Sequence, residues 1–166
     1  MPKARPYSPT QRAAEGAVLH VLDRHAKRTK GKFPPLIAAD GTPVTLKMMG
    51  SDSPAARRLR YATSAEQMNV SITRLRAGES ESGQTPDDVA LDEHRAIEKC
   101  ARLLIAWTGV TEDDGSVSPC TYANAMVLFT DDDDLRQQAL DFVEDRALFF
   151  AQCSTPSVDT ASTSFD

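Results

Sequence analysis

The sharpest constraint in this chain is a change of period at Ser53. Before it, Val44, Leu46 and Met48 alternate with Thr45, Lys47 and Met49, the two-residue period of a strand with one buried face. After it, apolar residues recur at three- and four-residue steps, the period of a helix. Ser53-Pro54 marks the junction, a hydroxyl N-cap followed by a proline at the first helical position. The switch predicts an α+β fold: a small antiparallel β unit at the N-terminus followed by a mostly helical bundle.

On the β side, Ala17–Leu22 (AVLHVL) reads as a strand, because Gly16 precedes it and a basic, polar segment follows. Phe33-Pro34-Pro35 blocks helix and starts an extended segment. Asp40-Gly41 then sits between Leu36–Ala38 and Val44–Met49 as a hairpin turn.

Three helical stretches follow. From Pro54 to Arg76 the stripe is Tyr61, Ala65, Met68, Ile72 and Leu75, with Arg57, Arg58, Arg60, Arg74 and Arg76 around it. Thr85-Pro86-Asp87-Asp88 supplies cap, proline and acidic first turn for a second helix, expected to run to Thr108. Its stripe is Ile97, Cys100, Ala101, Leu104 and Trp107. Beyond the acidic turn at Thr111–Gly115, Tyr122, Met126 and Phe129 mark a short helix, and Asp131–Asp134 breaks it. Leu135, Ala139, Phe142, Val143, Arg146, Phe149 and Phe150 then describe one further helix. Ile97–Phe150 holds the single Trp and four of the six Phe, so most of the aromatic surface available for a core lies there.

Length supports one domain with appendages: 166 residues bury a core without help from metal or disulfide. The expected divisions are a mobile leader over 1–14, a small β unit over 15–52, a helical bundle over 53–153 with a hinge near 78–84, and a disordered tail over 154–166. The tail (STPSVDTASTSFD) is too poor in apolar residues to offset the entropy of ordering. No apolar run approaches the roughly 20 residues that span a bilayer, so no membrane partner is expected. The N-terminus lacks the apolar core of a signal peptide, which predicts a cytoplasmic chain.

Charge is distributed unevenly. Residues 1–76 carry 14 Lys and Arg against 5 Asp and Glu, a net of +9, whereas residues 77–166 carry 5 against 19, a net of −14. Either two oppositely charged faces attract each other within one fold, or a basic arm and an acidic body meet different partners. The densest basic run, Arg24–Lys32, contains no aromatic until Phe33, so it lacks the stacking platforms of single-strand nucleic-acid binders. Nucleic acid is therefore not the favoured partner.

Little in the chain points to catalysis. His20, His25 and His94 share no ligand spacing, and no G-x-S-x-G, P-loop or G-x-G-x-x-G pattern occurs. Cys100, Cys120 and Cys153 are widely spaced, which argues for reduced thiols rather than a zinc site. Four consecutive Asp at 131–134 lack the spacing of a calcium loop and suit a helix N-terminus better. No catalytic residue, metal or other cofactor is expected.

Two blocks resemble the tail assembly chaperones of long-tailed bacteriophages. One is Glu15-Gly16-Ala17 with a strand and basic loop, then Val44-Thr45-Leu46 and Gly50-Ser51-Asp52-Ser53. The other is Trp107-Thr108-Gly109-Val110, an acidic turn ending in Gly115, Ser118-Pro119, Asn124-Ala125, and an acidic Leu-x-x-Gln helix finishing Asp145-Arg146-Ala147-x-Phe149-Phe150. The resemblance implies a non-enzymatic protein that binds the tape measure protein, keeps its apolar helices soluble and helps recruit the tail tube protein. It would act in the host cytoplasm and be absent from the mature virion, with self-association open. The residues expected to hold the client are Trp107, Phe129, Phe142, Phe149 and Phe150, with those exposed in the free protein making the contact, acidic turns keeping the complex soluble and electrostatics assisting encounter with a basic client. The rival readings are a structural virion protein of the tail or head–tail junction, and a nucleic-acid-binding module using the basic half.

Overall fold

The alternation at Val44–Met49 is realised as the middle strand of a three-stranded antiparallel sheet. A computed structural model describes residues 9–78, 85–112 and 114–150. Its elements are α1 (Pro9–Glu15), β1 (Ala17–His20), β2 (Thr45–Met48), α2 (Pro54–Arg76), α3 (Pro86–Leu103), β3 (Leu104–Thr108), α4 (Tyr122–Asp131), α5 (Asp133–Glu144) and α6 (Arg146–Phe150). Strand order is β1-β2-β3, and the fold is α+β. Leu19 lies opposite Leu46 and Trp107 lies on the other side of Leu46. Leu46 and Met48 are fully buried while Lys47 between them is exposed, as the two-residue period requires.

The second helix stops earlier than its stripe suggests. α3 ends at Leu103, and Leu104 turns extended while its N–H still closes the last turn on the Cys100 carbonyl. Leu104–Thr108 then pairs with β2. Two forces outweigh the helical spacing here. The free edge of β2 needs a partner for its backbone groups, and Ile105, Trp107 and Thr108 suit a pleated surface. Trp107 is thus a strand residue facing inward, and its indole N–H donates to the Ser118 carbonyl at 2.8 Å. The sheet, confined by the sequence reading to the unit over residues 15–52, draws its third strand from beyond residue 100.

The last helix is also divided. α5 ends at Glu144, and Asp145 turns extended (φ −75°, ψ 90°). Its carboxylate accepts the Ala147 N–H at 3.0 Å and starts α6, because an Asp can cap a new helix better than it can sit inside one. α6 returns Phe149 over Gly50, where a Cβ would lie 2.9 Å from the ring, so only glycine permits that approach.

The leader expected over 1–14 is helical from Pro9, with Ala13 buried and its carbonyl accepting the Gly50 N–H. Gly16 (φ +77°) turns the chain from α1 into β1. A Cβ there would meet Ile105 Cδ1 at 2.6 Å and the Met48 carbonyl at 2.7 Å. Residues 1–8 of the leader, 79–84 of the expected hinge and the whole 154–166 tail lie outside the described residues.

The core gathers Leu46 and Met48 from the sheet, Ile97, Cys100 and Leu103 from α3, Phe129 from α4, and Leu135, Ala139 and Val143 from α5. Two polar side chains seal its edge. Gln138 of α5 donates to the Leu22 carbonyl and accepts the Leu22 N–H, both at 2.9 Å, and so acts as a short mock strand. The buried Arg136 donates to the Phe129 carbonyl at 2.7 Å and to Glu93 at 3.0 Å, and also pairs with Asp133. Satisfied in this way, neither costs the penalty of an orphaned polar group.

Replacing Trp107 by Ala removes both a core aromatic and the Ser118 hydrogen bond. Denaturant titration should show a loss of about 3–5 kcal/mol; a loss below about 1 kcal/mol would mean that β3 does not carry the core.

Candidate interaction surface

Four of the five residues expected to hold a client are taken up by the fold. Trp107, Phe129 and Phe149 are buried. Phe142 is half-buried, edge-on to Phe149 with ring centroids 5.6 Å apart. The side chain of Phe150 lies outside the described residues. In the folded chain Trp107, Phe129 and Phe149 are therefore core residues.

Among the described residues, five of the exposed large apolar side chains are on α2: Tyr61, Met68, Val70, Ile72 and Leu75. Of its 23 residues only Ala56 is buried. Ser53 caps it, accepting the Ala56 N–H at 3.2 Å, and Arg60 donates to the Ser51 carbonyl at 3.2 Å. Past Arg60 the helix runs free of the core and lies antiparallel to α3. Arg95 pairs with Glu66 at 3.1 Å and Arg74 with Asp88 at 2.6 Å. Leu59, Thr63 and Glu66 turn toward α3. At 100° per residue, Tyr61, Ala65, Met68, Ile72 and Leu75 lie on the opposite side. The stripe legible in the sequence thus points away from the fold. Tyr61 is 74% exposed, Met68 and Leu75 66% each.

The grooves between α2 and its neighbours are lined by paired charges. One, of about 750 Å³, contains Arg95, Lys99 and Arg146 with Asp92 and Glu144. Lys99 pairs with Glu144, Arg95 with Asp92 and Glu66, and Arg146 with Asp52. The other, of about 880 Å³, contains Arg102 paired with Glu98. These are the flanks of an ion-paired helical hairpin: Arg95, Lys99, Arg102 and Arg146 are engaged by the chain's own carboxylates, Arg60 by the Ser51 carbonyl, and Arg58 at the rim of the second groove is in no ion pair among the described residues.

The charge asymmetry has a structural use. Arg24 with Asp134, Asp52 with Arg146, Glu66 with Arg95, and Arg74 with Asp88 each join the basic half to the acidic half. In the basic loop Arg24 is engaged in this way, and Arg28 lies over the Phe33 ring at 4.4 Å. The acidic turns serve the backbone: Asp132 accepts the Leu135 N–H at 2.8 Å and Asp114 accepts the Ser116 N–H at 2.8 Å. Among the described residues, no group of three or more His, Cys, Asp or Glu is placed to hold a metal ion, and no helix is long and apolar enough to cross a membrane. Burial pushes the Cys100 thiol up to about 12, far from the range of a nucleophile.

Arg136 and Gln138 carry structural weight that sequence reasoning missed. Gln138 closes the Leu-x-x-Gln pattern and Arg136 flanks the apolar stripe, but neither position reveals which backbone groups the side chain reaches. Comparison with family models, curated proteins and solved structures found no match to this chain.

Asp88 ties the tip of the hairpin together. The Arg74 guanidinium, with the Thr85 backbone N–H and hydroxyl, holds its carboxyl well below the ordinary value of 3.8. A depressed carboxylate stabilises the fold above its unfolded pKa, and that contribution is lost as pH falls through the folded value. Melting temperature should therefore decline below about pH 4, and Asp88→Asn should make the decline shallower. An unchanged acid profile in the variant would show that the Asp88 contacts contribute nothing to folding.

Proposed function

We propose that this chain is a non-enzymatic tail assembly chaperone of a long-tailed bacteriophage, which binds the tape measure protein and helps recruit tail tube subunits. The observation that carries the reading is the outward stripe of α2. A protein that keeps apolar helices soluble needs a helical face of its own that its fold leaves uncovered, and exposed apolar area of this kind marks interaction sites. The resemblance of the two blocks around Gly50–Ser53 and Trp107–Phe150 to the chaperone family supplies the identity of the client.

The mechanism is one of shared surface. The client's apolar helix trades water for contact with Tyr61, Met68, Ile72 and Leu75, which is favourable by about 25 cal/mol per Å² removed from water. The carboxylates of α3, α4 and α5 stay hydrated and keep the complex dispersed. The buried aromatics hold the body that presents α2. In this reading the protein works in the host cytoplasm and leaves before the virion is complete.

Co-expression with the tape measure protein of the same genome tests this. The client should be recovered in the soluble fraction bound to the chain, and should aggregate without it. Mass spectrometry of purified virions should find no copy of the chain. Recovery of the chain in stoichiometric amount from virions, or a client equally soluble without it, would overturn the reading.

A further inference from the structure

The outward residues of α2 have a stricter pattern than amphipathicity requires. Tyr61, Ala65, Met68, Ile72 and Leu75 are separated by steps of four, three, four and three, the a/d repeat of a coiled-coil seam. Ala65 and Ile72 occupy one class of seam position, and Tyr61, Met68 and Leu75 the other. Small or polar residues (Ala62, Ser64, Asn69, Ser71) flank the middle of the seam, leaving room for close approach. The seam spans about 22 Å of helix, and all five residues are at least partly exposed.

Charge decides what can lie on it. α2 has five Arg and one Glu, and that Glu66 is turned toward α3 and paired with Arg95. No carboxylate of α2 faces the seam side. Arg58, which also borders the groove toward α3, stands at one end of the seam and Arg76 at the other, both exposed and neither in an ion pair among the described residues. A second copy of α2 is therefore a poor occupant in either direction. Parallel pairing sets the two Arg58 side chains face to face, and antiparallel pairing sets Arg57 and Arg58 of one copy beside Arg76 of the other. Like charges so placed destabilise helix pairing.

We propose that the outer face of α2 is a coiled-coil docking site for an amphipathic helix of another protein whose apolar stripe is flanked by Asp and Glu. Apolar contacts along the seam set the lifetime of the complex, while Arg58 and Arg76 select acidic flanks and speed encounter. The site shares its residues with the proposed chaperone activity, but its chemistry can be read without any tape measure protein, so the two fail separately.

The probes are two synthetic helical peptides of about four heptads, with identical Leu and Ile at seam positions, one flanked by Glu and one by Lys. Fluorescence anisotropy with the full chain should show the Glu peptide binding at least about tenfold more tightly than the Lys peptide, with the ratio shrinking as salt rises from about 50 to 500 mM. Met68→Asp with Ile72→Asp should weaken the Glu peptide at least about tenfold, with helix content and melting temperature unchanged. Should that variant fail to fold, Arg58→Glu with Arg76→Glu tests the site independently, and should reverse the preference between the peptides. Equal binding of the two peptides, or binding indifferent to both variants, overturns the proposal. So does sedimentation showing a dimer that the α2 variants dissolve, since a second copy would then occupy the seam.

Discussion

The pairing of β3 with β2 is the interaction on which the rest of the structure depends. β2 contributes Leu46 and Met48 to the core, but a strand bonded on one side only would leave its other edge open. Leu104–Thr108 closes that edge and brings Trp107 beside Leu46. α3 passes into β3 without an intervening residue, so the sheet also determines where α3 lies. α3 in turn holds α2 through Glu66–Arg95 and Arg74–Asp88. The direction in which the exposed face of α2 looks is thus set by a strand some thirty residues further along the chain.

A basic first half and an acidic second half serve this architecture more than they divide it. The ion pairs joining the halves lie at the margins of the molecule, where each contributes at most about 1 kcal/mol. Their value is in orientation. Two of them keep α2 alongside α3 past the end of the apolar core, where Ala56 is the last α2 side chain fully enclosed. Gln138 and Arg136 play the same part at the opposite margin, tying α5 to the segment after β1 and to the end of α4. Burial supplies the stability, and specific polar contacts direct where the helices lie.

Much of this was legible in the residues. Ser53, Thr85 and Asp132 cap their helices as their positions suggest, and the alternation of Val44–Met49 is a strand. Leu104–Thr108 was not legible as a strand because Leu104 and Trp107 continue the three- and four-residue spacing of Ile97, Cys100 and Ala101. Periodicity describes a stripe and cannot detect that a distant strand needs an edge partner. The division at Asp145 was hidden similarly, since Phe149 stays in helical register with Phe142 while its burial depends on the absence of a side chain at Gly50. The stripe on α2 is one face of a helix, as its spacing predicts. Which way that face looks is a tertiary fact, governed by Leu59, Thr63 and Glu66 on its other side.

Trp107, Phe129 and Phe149 are consequently core residues, and the apolar stripe of α2 is an exposed face. The α2 stripe, Tyr61 together with Met68, Ile72 and Leu75, meets solvent. Rates of thiol alkylation test that assignment most directly. In a chain whose Cys120 and Cys153 are replaced by Ser, and whose Cys100 is shielded in the core, single cysteines would be placed by Tyr61→Cys, Met68→Cys, Leu75→Cys and Ala56→Cys. The first three should react in the native protein at about the rate of the unfolded chain, and Ala56→Cys at least about a hundredfold more slowly. Protection of Met68→Cys and Leu75→Cys equal to that of Ala56→Cys would mean that the stripe packs inward, and the outward seam would not exist.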